Sequence, residues 1–177
     1  MNQSLRLTVT LGIVVATGAV IAKDPLVGKY QKPVVFHGVK VTATETGNQG
    51  YPLMSIYQTK ETTPLIKSTD GAFVKLEVAS PSSKSKPVAP NWTATLTDDL
   101  GNTYKNTVLH RTEIPRLHNY KPGESIYPDK PMIQVLLFEK PLPAAKRLTL
   151  TLTLTIEDSD ESLSIRLPVG ARDADSH

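Results

Sequence analysis

The stretch RLTLTLTLTIE, Arg147–Glu157, decides the fold class of this chain. Leucine or isoleucine occupies every second position from Leu148 to Ile156, and threonine fills each position between them. Residues that alternate with a period of two lie on opposite faces of a β-strand, and β-branched threonine favours a strand over a helix. The stretch therefore predicts a long strand with one buried face.

The sequence after this stretch predicts a hairpin. The polar segment EDSDES, residues 157–162, has the composition of a turn, and Leu163, Ile165 and Leu167 then alternate again. Two alternating segments joined by a polar turn are typical of paired antiparallel strands.

The same alternation recurs along the chain in VKVTATE (39–45), AFVKLEV (72–78) and WTATLT (92–97). MIQVLLF (132–138) is apolar on both faces, which predicts a central strand. No long stretch has helical periodicity, and PLPAAKR (141–147) is expected to hold one turn at most. Short strands separated by turns predict an all-β, antiparallel β-sandwich.

The stretch TLTDDLGNTYKN, residues 95–106, could be read as a metal site, a carboxylate pair or a turn. Calcium loops place acidic ligands at alternating positions, but Asp98 and Asp99 are adjacent and would point to opposite faces of a strand. The Asp, Gly and Asn residues of DDLGN suit a tight reversal. The stretch therefore predicts a hairpin turn.

Residues 1–22 predict an export segment. Arg6 precedes an uncharged run, residues 7–22, which Lys23 ends. The run is intermediate in length between a signal-peptide core and a membrane-spanning helix, and Val20 and Ala22 suit cleavage after Ala22. A cleaved signal peptide and an uncleaved anchor both remain open. Either one places the rest of the chain outside the cytoplasm.

The composition excludes several classes of protein. The chain has no cysteine, which excludes disulfides, thiolate metal sites, cysteine nucleophiles and lipid attachment through cysteine. An exported chain without disulfides fits the bacterial envelope. The net charge of +3 comes from scattered lysines rather than a basic patch, so no nucleic-acid partner is expected.

Two long loops are expected. Ser80–Asn91 has the composition of a flexible connection, and its SSKSK stretch looks fully hydrated. His110–Pro131 is longer than typical loops, and long loops often carry function. Its cationic, aromatic and histidine side chains are the candidates for surface interaction: Arg111, Arg116, His118, Tyr120, Lys121 and Tyr127.

Catalysis is not expected. His110 and His118 share their loop with acidic residues, but their spacing matches no metal-binding motif. No G-x-S-x-G elbow occurs, and Ser-Lys chemistry at SSKSK would need a desolvated lysine. The sequence therefore assigns no catalytic residue, no metal ligand and no cofactor site.

Three stretches carry a family resemblance: TLTDDLGNTY (95–104), YKPGESIYP (120–128) and IQVLLFEKPLPAAKRLTLTL (133–152). They resemble a family of immunoglobulin-like, telokin-like domains of unknown function, found in bacterial lipoproteins and membrane-tethered envelope proteins. The resemblance covers roughly Pro33 to Val169 and implies a β-sandwich without catalytic residues, usually attached to a membrane. The chain departs from the family in lacking a lipid-attachment cysteine and in an extra loop, residues 47–71.

The expected organisation is a signal or anchor (1–22), a short stalk (23–32), an immunoglobulin-like sandwich (33–169) and a polar tail (170–177). The expected function is a non-catalytic, extracytoplasmic interaction or structural module. Its partner would be an envelope protein or a surface ligand, and the uncleaved segment 1–22 would also hold it in the membrane. The alternative is an envelope sensor that binds a metal or a small ligand.

Overall fold

A computed structural model describes residues 24–48, 52–53, 66–67, 71–106, 120–157 and 159–168. The described residues contain strands and turns and no helix, which confirms the all-β class. The strands are β1 (Leu26–Lys29), β2 (Val34–Phe36), β3 (Val39–Gly47), β4 (Pro52–Leu53), β5 (Ile66–Lys67), β6 (Ala72–Ala79), β7 (Thr93–Asp98), β8 (Thr103–Tyr104), β9 (Met132–Phe138), β10 (Arg147–Ile156) and β11 (Ser159–Pro168). The segments predicted as export segment and polar tail lie outside the described residues.

The strands form two main sheets. The first has the order β1-β11-β10-β7-β8, the second has the order β2-β3-β6-β9, and β4 pairs with β5 separately. All described pairs are antiparallel except β1 with β11. Buried side chains from both main sheets form one apolar cluster, so the described part of the chain is a β-sandwich.

The predicted hairpin is confirmed as β10 and β11. Its inward positions pair leucine or isoleucine across the strands: Leu148 with Leu167, Leu150 with Ile165, and Leu152 with Leu163. The turn is shorter than predicted, because Ile156 pairs with Ser159 and residues 159–162 belong to β11. The Thr155 hydroxyl donates a hydrogen bond of 2.7 Å to the Asp160 carboxylate, which helps to hold this polar end of the ladder together.

Residues 132–138 form β9, which pairs with β6 along one edge and meets Asn106 and Tyr120 at the two ends of its other edge. Residues 107–119 lie outside the described part of the chain, so the predicted central position stays a prediction. Among the described strands, β9 ends its sheet beside β6. Both faces of β9 are nevertheless buried: Leu136 and Phe138 lie in the core between the sheets, and Leu137 pairs with buried Phe73 on the outward face. A strand covered on two faces is apolar on two faces wherever it lies in its sheet.

The predicted stalk, residues 23–32, contains β1 and is therefore partly wrong. Gly28 of β1 packs closely, since a Cβ atom there would lie 3.2 Å from Ile165 and 3.3 Å from Val34. The sandwich begins at Leu26 rather than at Pro33. Residues 26–29 of the predicted stalk therefore belong to the first sheet.

The loops of the sandwich gather at two ends. One end, here named the Asp24 end, carries the start of β1, the β2–β3 turn, the β10–β11 turn and the loops 80–92 and 120–131. The opposite end carries the β7–β8 turn, residues 99–102, and is named the Asp98 end. The described part of the predicted interaction loop, residues 120–131, therefore lies at the end where the chain enters the sandwich.

Candidate functional site

The two long loops of the Asp24 end are bonded to each other through their backbones. The Ala89 N–H donates to the Glu124 carbonyl, and the Gly123 N–H donates back to the Ala89 carbonyl, each at 2.8 Å. The Ile126 N–H reaches the Pro87 carbonyl, also at 2.8 Å. Residues 80–92 and 120–131 therefore form one unit, named here the two-loop platform.

The prediction that Ser80–Asn91 is a flexible connection is thus wrong, because pairing with residues 123–126 fixes this loop. Ser80 is buried, with its Oγ 2.7 Å from the Ser82 carbonyl oxygen and 2.9 Å from the Ser85 carbonyl oxygen. This hydroxyl draws the serine-rich segment into a compact loop. Lys84 and Lys86 are exposed, so the expected hydration of the lysines in SSKSK is confirmed.

Aromatic packing anchors the platform to the core. Tyr120 stacks on Trp92 with ring centroids 5.5 Å apart and planes inclined by 23°, and its hydroxyl donates a hydrogen bond to the Pro90 carbonyl. The Trp92 indole N–H donates to the Gln134 side-chain oxygen at 2.9 Å. Both rings are buried, which confirms Trp92 as a core residue.

The assignment of Tyr120 as a surface-interaction residue is wrong, because only 8% of it is exposed. Burial also raises the pKa of its phenol well above the usual range. The aromatic ring and buried hydroxyl hold loop 120–131 in place. No feature of the local sequence distinguished this tyrosine from an exposed one, since the partner Trp92 lies far away along the chain.

A tight turn shapes the outer part of the platform. The Glu124 N–H donates to the Lys121 carbonyl at 3.1 Å around Pro122 and Gly123, and Gly123 has a φ of 84°. Proline followed by a residue of positive φ is the signature of a type II turn. The turn exposes Lys121 and Glu124, whose charged groups lie 3.2 Å apart. An ion pair so exposed contributes little to stability.

Tyr127 is the exposed aromatic group of the platform. It is 44% exposed, and the Lys86 ammonium lies 5.7 Å from its ring centroid, within cation–π range. A shallow cavity of about 290 Å³ lies beside it, lined by Lys121, Glu124, Ser125, Tyr127, Lys130, Pro131 and Met132. Two of the predicted interaction residues, Lys121 and Tyr127, are thus brought together on one surface.

The remaining predicted residues, Arg111, Arg116 and His118, lie outside the described residues, as do His110 and Glu113. Within the described part of the chain, no group of three or more histidine or acidic side chains could hold a metal ion.

The stretch 95–106 forms the hairpin turn that its sequence predicts, between β7 and β8. The Asp98 Oδ1 accepts hydrogen bonds of 2.9 Å from the backbone N–H groups of Leu100 and Asn102. Its Oδ2 accepts from the Asn102 side-chain amide at 2.9 Å and from the Tyr104 hydroxyl at 2.5 Å. Desolvation alone would raise the pKa of Asp98, but these hydrogen bonds outweigh it and lower the pKa to about 2.

Asp99 accepts hydrogen bonds from a different part of the chain than Asp98 does. Its Oδ1 accepts the backbone N–H groups of Lys146 at 2.9 Å and Arg147 at 3.2 Å, and the Lys146 bond is the main cause of its lowered pKa. Asp98 therefore closes its own turn, while Asp99 ties that turn to the start of β10. The two carboxylates therefore accept hydrogen bonds from different partners.

Comparison with known proteins gives no match: no protein-family model, no curated protein and no solved structure matches this chain. Among the described residues, no helix has both the length and the apolar character needed to cross a membrane.

Proposed function

We propose that this protein is a non-catalytic, immunoglobulin-like module of the bacterial envelope that acts outside the cytoplasm as an interaction or structural domain. The observation that carries the proposal is the two-loop platform. The platform exposes Tyr127, Lys86 and Lys121. Backbone hydrogen bonds between its two loops and the stacking of Tyr120 on Trp92 hold it in place. Exposed aromatic groups on a rigid base lose little conformational entropy when they bind a partner.

The strand order supports the immunoglobulin-like assignment. The order β11-β10-β7-β8 corresponds to strands G, F, C and C′ of a variable-type domain, and β3-β6-β9 corresponds to A, B and E. Buried Trp92 directly precedes the strand that takes the place of C, where immunoglobulin domains carry a core tryptophan. This correspondence and the resemblance in sequence together favour the telokin-like family.

The extracytoplasmic location rests on the sequence of residues 1–22. Only residues 23–25 separate that segment from β1. If the segment stays in the membrane, so short a connection holds the Asp24 end and its platform close to the lipid surface. If the segment is cleaved after Ala22, the same platform faces diffusible partners.

Site-specific crosslinking in the native host tests the proposal. A photoreactive amino acid at Tyr127 should capture an envelope protein or a surface ligand. The same group at Leu142, which is 50% exposed at the Asp98 end, should not capture it. The purified partner should then bind the Tyr127→Ala variant about tenfold more weakly, the loss expected when an exposed aromatic anchor is removed.

Equal capture at both positions, or unchanged affinity of Tyr127→Ala, would reject the platform as the contact surface. A reproducible turnover by pure protein that one substitution abolishes would reject the non-catalytic function itself. The alternative, a metal or small-ligand sensor, requires stoichiometric binding by pure protein, which elemental analysis after metal loading measures for the metal version.

A further inference from the structure

A groove opens at the Asp24 end between the edge strands of the two sheets. Among the described strands, β1 ends the first sheet and β2 ends the second. The groove has a volume of about 440 Å³ and is lined by Asp24, Pro25, Leu26, Val27, Val35, Phe36, His37, Glu161 and Ser162. It shares no residue with the two-loop platform, so it forms a second and separate surface.

The walls of the groove expose an unusual amount of aliphatic surface. Leu26 is 42% exposed, Val35 is 56% exposed and Val27 is 67% exposed. Single exposed aliphatic residues are common on protein surfaces, but a group of three around one concavity is typical of a contact site. The apolar part of a ligand would therefore lie against these three side chains.

The backbone of β2 offers hydrogen-bonding groups at the same place. The turn His37–Gly38 has φ values of 47° and 74°, as a two-residue type I′ hairpin turn requires, and Phe36 pairs with Val39 across it. In such a hairpin the next pair, Val35 with Lys40, is the non-hydrogen-bonded one. The N–H and C=O of Val35 therefore point away from β3, toward the edge of β2 that no described strand covers, here named the open edge.

The first sheet does not offer its edge in the same way. Pro25 precedes β1 and has no N–H to donate, so it weakens strand addition at the start of that edge. An extended segment that enters the groove would therefore take backbone hydrogen bonds from Val35 of β2 and side-chain contacts from Leu26 and Val27 of β1.

The polar groups of the groove are mainly acidic. Asp24 and Glu161 contribute carboxylates, and His37 contributes an imidazole whose ring meets Phe36 edge-on at 4.6 Å. The His37 Nε2 lies 3.2 Å from the Glu161 Oε2, but the geometry is not that of a hydrogen bond. This buried nitrogen has no hydrogen-bond partner among the described residues.

We propose that this groove binds an extended, apolar peptide segment that carries a lysine or arginine at one end. The segment adds its backbone to the open edge of β2, and its apolar side chains cover Leu26, Val27 and Val35. The cationic side chain meets the carboxylates of Asp24 and Glu161. Main-chain hydrogen bonds then supply affinity, and the acidic end of the groove supplies specificity and direction.

Fluorescence anisotropy with two matched peptides tests the proposal on the purified protein. The probe is a short peptide in which valine and threonine alternate behind one lysine, and its partner has glutamate in place of that lysine. The lysine peptide should bind saturably and about tenfold more tightly than the glutamate peptide, as expected for one charge-assisted contact. Val35→Lys and Glu161→Gln should each weaken its binding by about tenfold or more.

Leu100→Lys is the matched control, because Leu100 is also 56% exposed but lies at the Asp98 end. It should bind the lysine peptide as the unaltered protein does. The absence of saturable binding, equal binding of both peptides, or unchanged binding by Val35→Lys would overturn the proposal. A concentration-dependent dimer that Val35→Lys abolishes would also overturn it, since the occupant would then be a second copy of the chain. None of these outcomes depends on the crosslinking at Tyr127.

Discussion

At the scale of single residues, Asp98 shows how one carboxylate can organise a turn. It accepts four hydrogen bonds, from Leu100, from the backbone and side chain of Asn102, and from Tyr104. The Tyr104 hydroxyl in turn accepts the Leu142 N–H at 3.0 Å, so the network joins two loops of the Asp98 end. Burial, followed by the bond to Asp98, raises the pKa of Tyr104 and keeps its phenol protonated as a donor.

This network predicts an acid-sensitive contribution to stability. The pKa of Asp98 is about 2 in the folded protein, whereas an unperturbed aspartate, as in the unfolded chain, has a pKa of 3.8. Because the unfolded chain takes up the proton first, the contribution is present above the unfolded pKa and is lost as the pH falls through the folded one. We expect urea unfolding to show the free energy of unfolding declining between about pH 4 and about pH 2.

Asp98→Asn should lower the free energy of unfolding at neutral pH and reduce this decline, since an amide nitrogen cannot accept from Asn102 and Tyr104. Asp129→Asn removes the same charge from an exposed position of loop 120–131 and serves as the control. A decline that is equally steep in Asp98→Asn and in the unaltered protein would show that other carboxylates cause it.

At the scale of elements, alternation could predict strands but not the bonding of loops. The inward faces of β3, β6 and β10 follow directly from their sequences, because a period of two fixes the face on which each side chain lies. The sequence of β9 does not tell whether the strand lies at the centre or at the end of its sheet, since burial on two faces gives the same apolar pattern in both places.

The two-loop platform could not be predicted for a different reason. Its hydrogen bonds join the backbones of residues 87–89 to those of residues 123–126. The amino-acid composition of a loop does not reveal which backbone groups are paired. The serine, proline and lysine content of Ser80–Asn91 is typical of a flexible linker. The local sequence of Tyr120 is that of an ordinary loop tyrosine. The burial of Tyr120 and its stacking on Trp92 show that this part of the loop belongs to the core.

Tyr120→Phe should loosen the platform without displacing its ring. The substitution leaves the Pro90 carbonyl without its donor and should cost about 1 kcal/mol. We expect the amide hydrogens of Ala89 and Gly123 to exchange about fivefold faster with solvent, while those of the β10–β11 hairpin stay unchanged. Hydrogen exchange followed by NMR measures both groups of amides in one sample.

Tyr127→Phe is the matched control, because it removes a hydroxyl from an exposed tyrosine of the same loop. It should leave the exchange of Ala89 and Gly123 unchanged. Equal acceleration by both variants would show that the loops respond to any loss of a tyrosine hydroxyl. Acceleration in the hairpin as well would show that the platform opens only when the whole sandwich unfolds.

At the scale of the whole molecule, the two ends of the sandwich have different characters. At the Asp98 end, hydrogen bonds of the Tyr104 hydroxyl join Asp98 to Leu142. Asp99 in addition accepts the backbone N–H groups of Lys146 and Arg147. The Asp24 end carries the platform, the groove and the entry of the chain into β1. Under the proposed export of the chain, cleavage or retention of residues 1–22 would set what both proposed contact surfaces face.

The intact mass of the native protein in separated membrane, soluble envelope and cytoplasmic fractions measures that fate. We expect either the full-length mass in the membrane or a species that begins at Lys23 in the soluble envelope fraction, because both forms of the export segment carry the sandwich across the membrane. Val14→Arg places a charge in the middle of the apolar run and should retain the protein in the cytoplasm, whereas Val14→Leu should not. Full-length protein in the cytoplasm without any substitution would contradict the export segment. A membrane-bound product would direct the search to partners at the lipid surface beside the Asp24 end, and a released product would direct it to diffusible ligands.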